Sequence, residues 1–387
     1  MRVFIIAGEP SGDKLGAALM RGLKTLVPDV SFDGIGGTGM QAEGLVSRFP
    51  MDELSVMGIA EILPKYKALM TRINETAEAV IDSAPDVMIT IDSPDFSFRV
   101  AKRVKAKSAT RTVHYVAPTV WAWRPGRAEK ISHFIDHLLA LFPFEPPYFE
   151  AHGMRSDFVG HPVVAEPKVS EEEVRRFRKS HEIFDAPVLL VLPGSRRSEV
   201  ERLSDVFGDC VAQMVSMHSN LRIVVPAAAP VVDLVQEKAS TWAGAPVVLD
   251  PRQASDYEAA AQVKRTAFKA ADIALAASGT VSLELAAART PMVIAYKMNW
   301  ISHWLIKRMA LVDTVTLVNL VSDTRVVPEF LGPACRADSI APALEAVMKD
   351  PDTQIKAMGH TMQLLGDGEK DPGLRAAEAV LAGLEQA

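Results

Sequence analysis

The sequence predicts an α/β protein made of two Rossmann-like, doubly wound parallel-sheet domains. Three observations predict it. Short apolar runs alternate with amphipathic helical stretches, the pattern of βα units in a parallel sheet. The alternation comes in two series, separated by a break at Gly160-His161-Pro162 and a charged run from Glu171 to Lys179. The length, 387 residues, suits two domains better than one. The expected domains are 1–165 and 166–367, facing each other across a cleft, with ligands at the carboxyl ends of the strands.

Val3 to Ala7 is the first strand. Gly8-Glu9-Pro10-Ser11-Gly12-Asp13 turns it into a helix that runs to Leu26, where Pro28 and Asp29 stop it. Ser31 to Gly39 contains G-x-G-x-x-G at Gly34, Gly36 and Gly39. The motif is off the first βα unit and only a short helix fits before Gly44. It therefore reads as a glycine loop lining the cleft rather than as a dinucleotide site. Pro64 is expected to open a helix reaching about Asp82. Val87 to Ile91 is a buried strand ending in Asp92-Ser93-Pro94-Asp95. Thr112 to Val116 is another, followed by Ala117-Pro118-Thr119-Val120-Trp121-Ala122-Trp123-Arg124. A helix is expected from Gly126 to Leu141, carrying His133 and His137 on one face. With no Glu after the first His and no third ligand, the pair reads as packing rather than zinc binding. The second series places strands at Val188–Leu192, Leu221–Val225, Val247–Leu249, Ile273–Ala277 and Met292–Ala295. From Asp338 onward, helices are separated by turns at Asp350-Pro351-Asp352 and Gly366-Asp367-Gly368.

Composition narrows the function. The chain is 48% hydrophobic and 23% charged with a formal charge of -6, which argues against a nucleic-acid partner. Cys210 and Cys335 form neither a disulfide framework nor a metal motif, which fits a reducing cytoplasm. The chain enters a strand at once without a signal-type apolar region, and no run approaches the ~20 apolar residues that span a bilayer.

The stretch Ala271 to Tyr296 concentrates the chemistry. It reads strand, Ser278-Gly279-Thr280, helix, strand. Small residues and free helix amides suit an anion. Glu284 lies about one turn into that helix. Val281, not Ser or Thr, stands three residues before it, so it forms no capping box; it can accept from ribose hydroxyls, the alternative being a solvated Glu on a structural βαβ turn. Gly194-Ser195-Arg196 closes the first strand of the same domain, and Arg supplies a planar charged donor. Two donor sets suit a diphosphate; the alternative for Arg196 is an ion pair between the domains. Asn319 is a candidate contact to a sugar or base, or an ordinary turn residue. Asp350-Pro351-Asp352 follows a helix and reads as a turn, so no metal and no cofactor are expected. Arg and helix N-termini would neutralise a diphosphate leaving group.

Six motifs now stand in one colinear order: Gly8-Glu-Pro-Ser-Gly-Asp13, Met57-Gly-Ile-x-Glu61, Asp92-Ser-Pro-Asp-Phe96, His114 to Trp123, Leu192-Pro-Gly-Ser-Arg196, and Ser278-Gly-Thr-x-x-Leu-Glu284. Together they resemble the lipid-A-disaccharide synthase family over nearly the whole chain. The resemblance implies a GT-B fold whose C-terminal helix, about 368–387, returns to the N-terminal domain. It implies an inverting, metal-independent glycosyltransferase of lipid A and lipopolysaccharide biosynthesis in Gram-negative bacteria. The donor would be UDP-2,3-diacylglucosamine and the acceptor the 6-hydroxyl of 2,3-diacylglucosamine 1-phosphate (lipid X). The alternatives are a UDP-hexosamine epimerase-like enzyme and a non-catalytic nucleotide-sugar binder. Gly194, Ser195, Arg196, Ser278, Gly279, Thr280, Glu284 and Asn319 would hold UDP.

Asp92, at the end of a buried strand, leads the candidates for general base, with Asp95 and then Glu9 as alternatives. Asp92 could instead be an N-cap or turn carboxylate and Asp95 a brace for the loop, while Gly8, Glu9, Ser11, Gly12 and Asp13 would face the acceptor. One departure from the family pattern, the longer segment Asp250 to Ala270, is expected to change a loop near the donor base. Diacylated substrates require a surface. Met57, Ile62, Leu63, Leu69 and Met70, beside Lys65, Lys67 and Arg72, suit an anionic membrane at the inner face of the inner membrane. The alternative is an apolar stripe facing the core. The expected partners are donor, lipid X and that membrane, with a homodimer as a further expectation.

Overall fold

The computed structural model describes residues 1–54, 59–298, 308 and 310–385, with the backbone alone at 59–66. Two units emerge. One comprises Met1–Ala165 together with Leu365–Ala387, the other Glu166–Leu364.

The first unit is a parallel sheet of β1 (Arg2–Ala7), β2 (Ser31–Ile35), β3 (Val87–Ile91), β4 (Arg111–Tyr115), β5 (His137–Ala140) and β6 (Arg155–Phe158), in the order β2-β1-β3-β4-β5-β6. Its helices are α1 (Pro10–Leu26), α2 (Thr38–Ala42), α3 (Ile59–Ser83), α4 (Pro94–Lys105), α5 (Gly126–Ser132) and α6 (Pro146–Glu150). β1 and β3 are almost wholly apolar because both faces are covered, whereas β4 buries Thr112 and His114 among its apolar residues. Val3, Ile5 and Ala7 of β1 join one core with Leu19, Met20 and Leu23 of α1. Phe4 and Ile6 join another with Ile73 and Val80 of α3 and Val100 of α4.

The second unit repeats the plan with β7 (Val188–Leu192), β8 (Arg222–Pro226), β9 (Val247–Leu249), β10 (Ile273–Ala277), β11 (Met292–Tyr296) and β12 (Glu329–Leu331), in the order β12-β11-β10-β7-β8-β9. Around it stand α7 (Glu171–Ser180), α8 (Arg197–Met217), α9 (Val232–Ala239), α10 (Tyr257–Ala270), α11 (Val281–Ala288), α12 (Leu317–Val321), α13 (Ala337–Lys349) and α14 (Asp352–Leu364). Ser170 and Glu173 form a reciprocal capping box at the start of α7, so the charged run read as a boundary is a solvated helix. The last helix, α15 (Pro372–Leu384), is capped by Asp371 and packs on α1. Glycine makes that approach close: a Cβ on Gly22 would lie 2.6 Å from the Gly373 carbonyl oxygen.

Several sequence expectations change. The helix expected over 126–141 stops at Ser132, and His137 begins β5 instead. His137-Leu-Leu-Ala is a short apolar run, for which periodicity alone does not separate strand from helix. His137 is fully buried, with Nε2 2.7 Å from Asp157 Oδ2. α3 starts at Ile59, so Pro64 sits inside it rather than opening it. The glycine-rich stretch after Ser31 begins as strand β2, where Gly34 has φ +140° and a Cβ would lie 1.8 Å from Ile5 O. The segment 250–270 is not a loop. It is a short turn at Pro251–Gln253 followed by α10.

Candidate active site

Both sheets reverse their winding once. In the first unit β1 leads outward to β2 on one side, while β3 and its successors build on the other. In the second, β7 leads to β8 and β9 on one side, and β10 to β12 lie on the other. A crevice opens at the carboxyl ends of the strands flanking such a reversal, and ligands bind there in open α/β sheets. Gly8 and Asp92 follow β1 and β3; Gly194 and Ser278 follow β7 and β10.

At the first-unit edge, Asp92 and Ser93 adopt φ +49° and +45°, and Val116, at the end of the neighbouring β4, adopts +84°. Left-handed backbone is unfavourable for side chains other than glycine, most of all for β-branched valine, and such strain clusters at functional sites. The surroundings fix it. Asp92 N–H donates to Tyr115 O at 3.0 Å, and Ser97 Oγ donates to Asp92 O at 2.8 Å. Ser93 Oγ is buried without a hydrogen-bond partner among the described residues. Gly8 admits it closely, since a Cβ there would lie 2.7 Å from Ser93 Oγ. Burial pushes the Asp92 carboxyl above its ordinary value, and the Ser93 backbone N–H partly offsets this. A raised carboxyl is a better proton acceptor once ionised. Asp95 is exposed in the first turn of α4.

Asp13 has a different task from the one expected. Its carboxylate accepts from the backbone N–H groups of Gly37 (2.8 Å), Gly39 (2.8 Å) and Met40 (3.0 Å). It therefore fills the anion seat of the G-x-G-x-x-G loop and braces α1 against α2. Gly12 is buried beside Ile91, whereas Ser11 is exposed and Glu9 half-buried.

Beyond β4, Trp121 is buried and Trp123 half-exposed, with the Arg124 guanidinium 3.9 Å over the Trp123 ring. Trp121 Nε1 donates to Glu145 Oε1 at 3.2 Å. His114, inside β4, is driven down to about 3 by burial first and then by the Arg127 charge; it sits 2.8 Å from Thr90 Oγ1 as a neutral core residue.

At the second-unit edge the special backbone falls to glycine. Gly194 has φ +115° and a Cβ would lie 2.6 Å from Glu199 Cβ. Glu199 Oε2 accepts from Ser195 N–H (3.1 Å) and Arg196 N–H (3.3 Å), and Oε1 lies 3.3 Å from Arg196 Nη1. The Arg196 side chain stays mostly exposed, so its guanidinium is presented to solvent. On the adjacent strand, Gly279 and Thr280 are exposed, a Cβ on Gly279 would meet nothing, and no side chain caps α11. Ser282 and Leu283 N–H donate to Gly279 O and Thr280 O, so it is the turn amides ahead of them, from Gly279 to Val281, that remain available to an anion. Glu284 pairs with Lys264 of α10 at 2.5 Å.

Asn319 is buried and spent on structure. Its Nδ2 donates to Val327 O (2.9 Å) and Thr314 Oγ1 (3.2 Å), and its Oδ1 accepts from Val327 N–H (3.0 Å). With donors and acceptor committed to its own loop, it is not a free contact for a sugar or base. Lys264, Glu199, Ser93 and Glu145 were missed in the sequence. Glu145 left a signal: a single carboxylate within Phe142-Pro143-Phe144-Glu145-Pro146-Pro147. The others become visible only through spatial neighbours.

Of the surface proposed for membrane contact, Met57 lies outside the described residues, as do the side chains of Ile62 and Leu63. Leu69 and Met70 are half-buried against the core that holds Ile73 and Phe96. No helix among the described residues is long and apolar enough to cross a membrane.

A family model described as lipid-A-disaccharide synthetase matches residues 3–380. The lipid-A-disaccharide synthase of Ruegeria pomeroyi is 61% identical, over 98% of this chain and 95% of its own length. That of Rhodospirillum centenum is 46% identical, over 98% and 94%. Among solved structures, the UDP-GlcNAc 2-epimerase from Neisseria meningitidis bound to UDP-GlcNAc aligns with TM-score 0.63 at 11% identity, covering 100% of both chains. An Anabaena protein solved with UDP and glucose aligns with TM-score 0.56 at 12% identity, covering 100% of this chain and 99% of its own. These two likenesses speak for the fold alone.

Proposed function

The chain belongs to the lipid-A-disaccharide synthetase family, and on that premise we propose that it is the inverting glycosyltransferase of lipid A biosynthesis. It moves 2,3-diacylglucosamine from UDP-2,3-diacylglucosamine to the 6-hydroxyl of 2,3-diacylglucosamine 1-phosphate. The products are the β-1,6-linked disaccharide 1-phosphate and UDP. The observation that carries this reading is the full-length match at 61% identity.

The geometry supports a division of labour. In the second unit, Arg196 and the turn amides from Gly279 to Val281 hold the diphosphate, and Glu284 accepts from ribose hydroxyls, exchanging its bond to Lys264 for them. In the first unit, Asp92 takes the proton of the acceptor hydroxyl as its oxygen attacks C1 opposite the diphosphate, whose departure as UDP completes inversion. Asp92 is preferred to Asp95 because only Asp92 combines strain, burial and a raised proton affinity. Glu9 remains on the same edge as a residue that orients the acceptor.

Diacylated substrates place the work at a membrane surface, since each buried methylene is worth about 0.8 kcal/mol. The first unit, at Met57 to Met70, is our proposed contact with anionic lipid at the inner face of the inner membrane. A second copy of the chain is a further expected partner, on the family resemblance alone.

The test is UDP release. Release with donor and acceptor together, absent with donor alone and unchanged by EDTA, is the expected result. Consumption of donor without acceptor would replace this reading with epimerisation, and UDP binding without turnover would leave a binder.

A further inference from the structure

Glu145 is a carboxylate that the transfer chemistry leaves unused and that the fold buries almost completely, at 2% exposure. It is not idle. Oε2 accepts from the backbone N–H groups of Leu141 (3.1 Å) and Phe142 (3.0 Å), just beyond β5. Oε1 accepts from Trp121 Nε1, in the loop beyond β4. One side chain thereby ties together the chain segments that leave two adjacent strands. The loop carrying Trp121 starts at Val116, immediately after Tyr115, whose carbonyl holds the Asp92 N–H. Val116 is itself strained, and its N–H donates to Leu139 O at 3.1 Å.

Aromatic packing extends from the same point. Trp121 meets Phe144 edge-on at 5.2 Å, Phe144 stacks on Phe142 at 5.5 Å, and Phe142 meets His161 at 5.4 Å. Burial pushes the Glu145 carboxyl up to about 7, and the bonds from Phe142, Trp121 and Leu141 pull against that shift; in such apolar company either form is costly unless its oxygens are bonded. A residue that only filled this space would not need a carboxylate aimed at three donors.

We propose that Glu145 is a positioning residue for the transfer, the buried post that fixes the Trp121 loop next to Asp92 for the acceptor. The role rests on the transferase reading and adds the side from which the acceptor is held. Glu145 touches no reacting atom. It acts by setting the pose of Trp121, and misplacement of a site wall by an ångström changes rates on the order of 100-fold.

The experiment compares Glu145→Gln, Trp121→Phe and the double variant, measuring acceptor kcat and KM, UDP affinity and tryptophan emission. Gln keeps the shape but offers one oxygen in place of two; Phe keeps an aromatic ring but loses the indole N–H. Each single variant is expected to lower kcat/KM for the acceptor on the order of 10- to 100-fold. UDP affinity stays within about twofold, and Glu145→Gln shifts the emission. The double variant should be no worse than the worse single one, because both remove the same bond. Multiplying losses, equal losses for donor and acceptor, or unchanged acceptor kinetics overturn the proposal. If Glu145→Gln does not fold, Trp121→Phe reads the bond from its other end, and normal acceptor kinetics there overturn the proposal equally. UDP release by the unaltered protein separates the two ideas. Normal release together with indifferent variants removes only the positioning role, whereas no transfer at all removes both.

Discussion

The carboxyl edges of the two sheets solve the same backbone problem in opposite ways. In the second unit the sharp exit from β7 is made by glycine, at Gly194, and Gly279 follows β10. In the first unit, left-handed conformations fall on Asp92, Ser93 and Val116, which do not relieve them. Glycine suffices where the working group is a backbone N–H, as in a phosphate turn. A side chain must be kept, strain included, where the working group is a carboxylate. In the division of labour proposed above, the contrast assigns the chemistry to the first unit and the grip to the second.

The largest effect that sharpens this contrast is at Asp92. Asp92→Asn keeps the shape and the strained turn but removes the proton acceptor. Turnover should fall by a factor on the order of 10²–10⁴ with UDP affinity nearly unchanged. Because burial raises the Asp92 carboxyl above 3.8, the base is ionised only above that raised value. The acid limb of kcat/KM should therefore lie above the ordinary aspartate range. Normal turnover in the variant would move the base to Asp95 or Glu9 and dissolve the contrast.

A smaller effect is expected from the gripping edge. Arg196→Ala removes charge-assisted hydrogen bonds to the donor, and UDP binding, followed by calorimetry, should weaken by about 2–3 kcal/mol. A variant that binds UDP as tightly as the unaltered protein would show that the exposed guanidinium serves only its pair with Glu199.

The smallest effect has the opposite sign. Ser93→Gly removes a left-handed non-glycine residue and a buried hydroxyl without a partner. Stability to urea should rise by about 1 kcal/mol. If stability falls, the first-unit edge is not strained and its left-handed residues need another explanation.

Much of this was legible in the sequence, for identifiable reasons. Val3–Ala7, Val188–Leu192 and Ile273–Ala277 are apolar at every position, and Val87–Ile91 at all but Thr90, because helices cover both faces of their sheets. The turns after β7 and β10 were legible because glycine and other small residues directly follow such strands. What escaped was set by neighbours far along the chain. β2 is disguised by Asp33 and Gly34, and β6, Arg155-Ser-Asp-Phe, is an edge strand with a polar pattern. Asp13 read as a contact to the acceptor because the three N–H groups that claim it lie more than twenty residues away. Asn319 read as a ligand contact because its bonds to the Val327 backbone leave no local trace.

The first unit is discontinuous: β1 and α1 open the chain, and α15, which lies against α1, comes from the far side of the second unit. This has a consequence for biosynthesis. The second unit is one unbroken stretch of about 200 residues. On the ribosome it takes roughly 10–40 s to emerge at ~5–20 residues per second. Throughout that interval the apolar flank of α1 around Gly22 waits uncovered, since its partner has not been made. The second unit can close as soon as it is synthesised, whereas the first, though it begins earlier, closes last. A nascent chain of this protein is thus exposed to chaperone capture at its oldest residues, and a chain cut short before Pro372 loses the cover of the unit that carries Asp92.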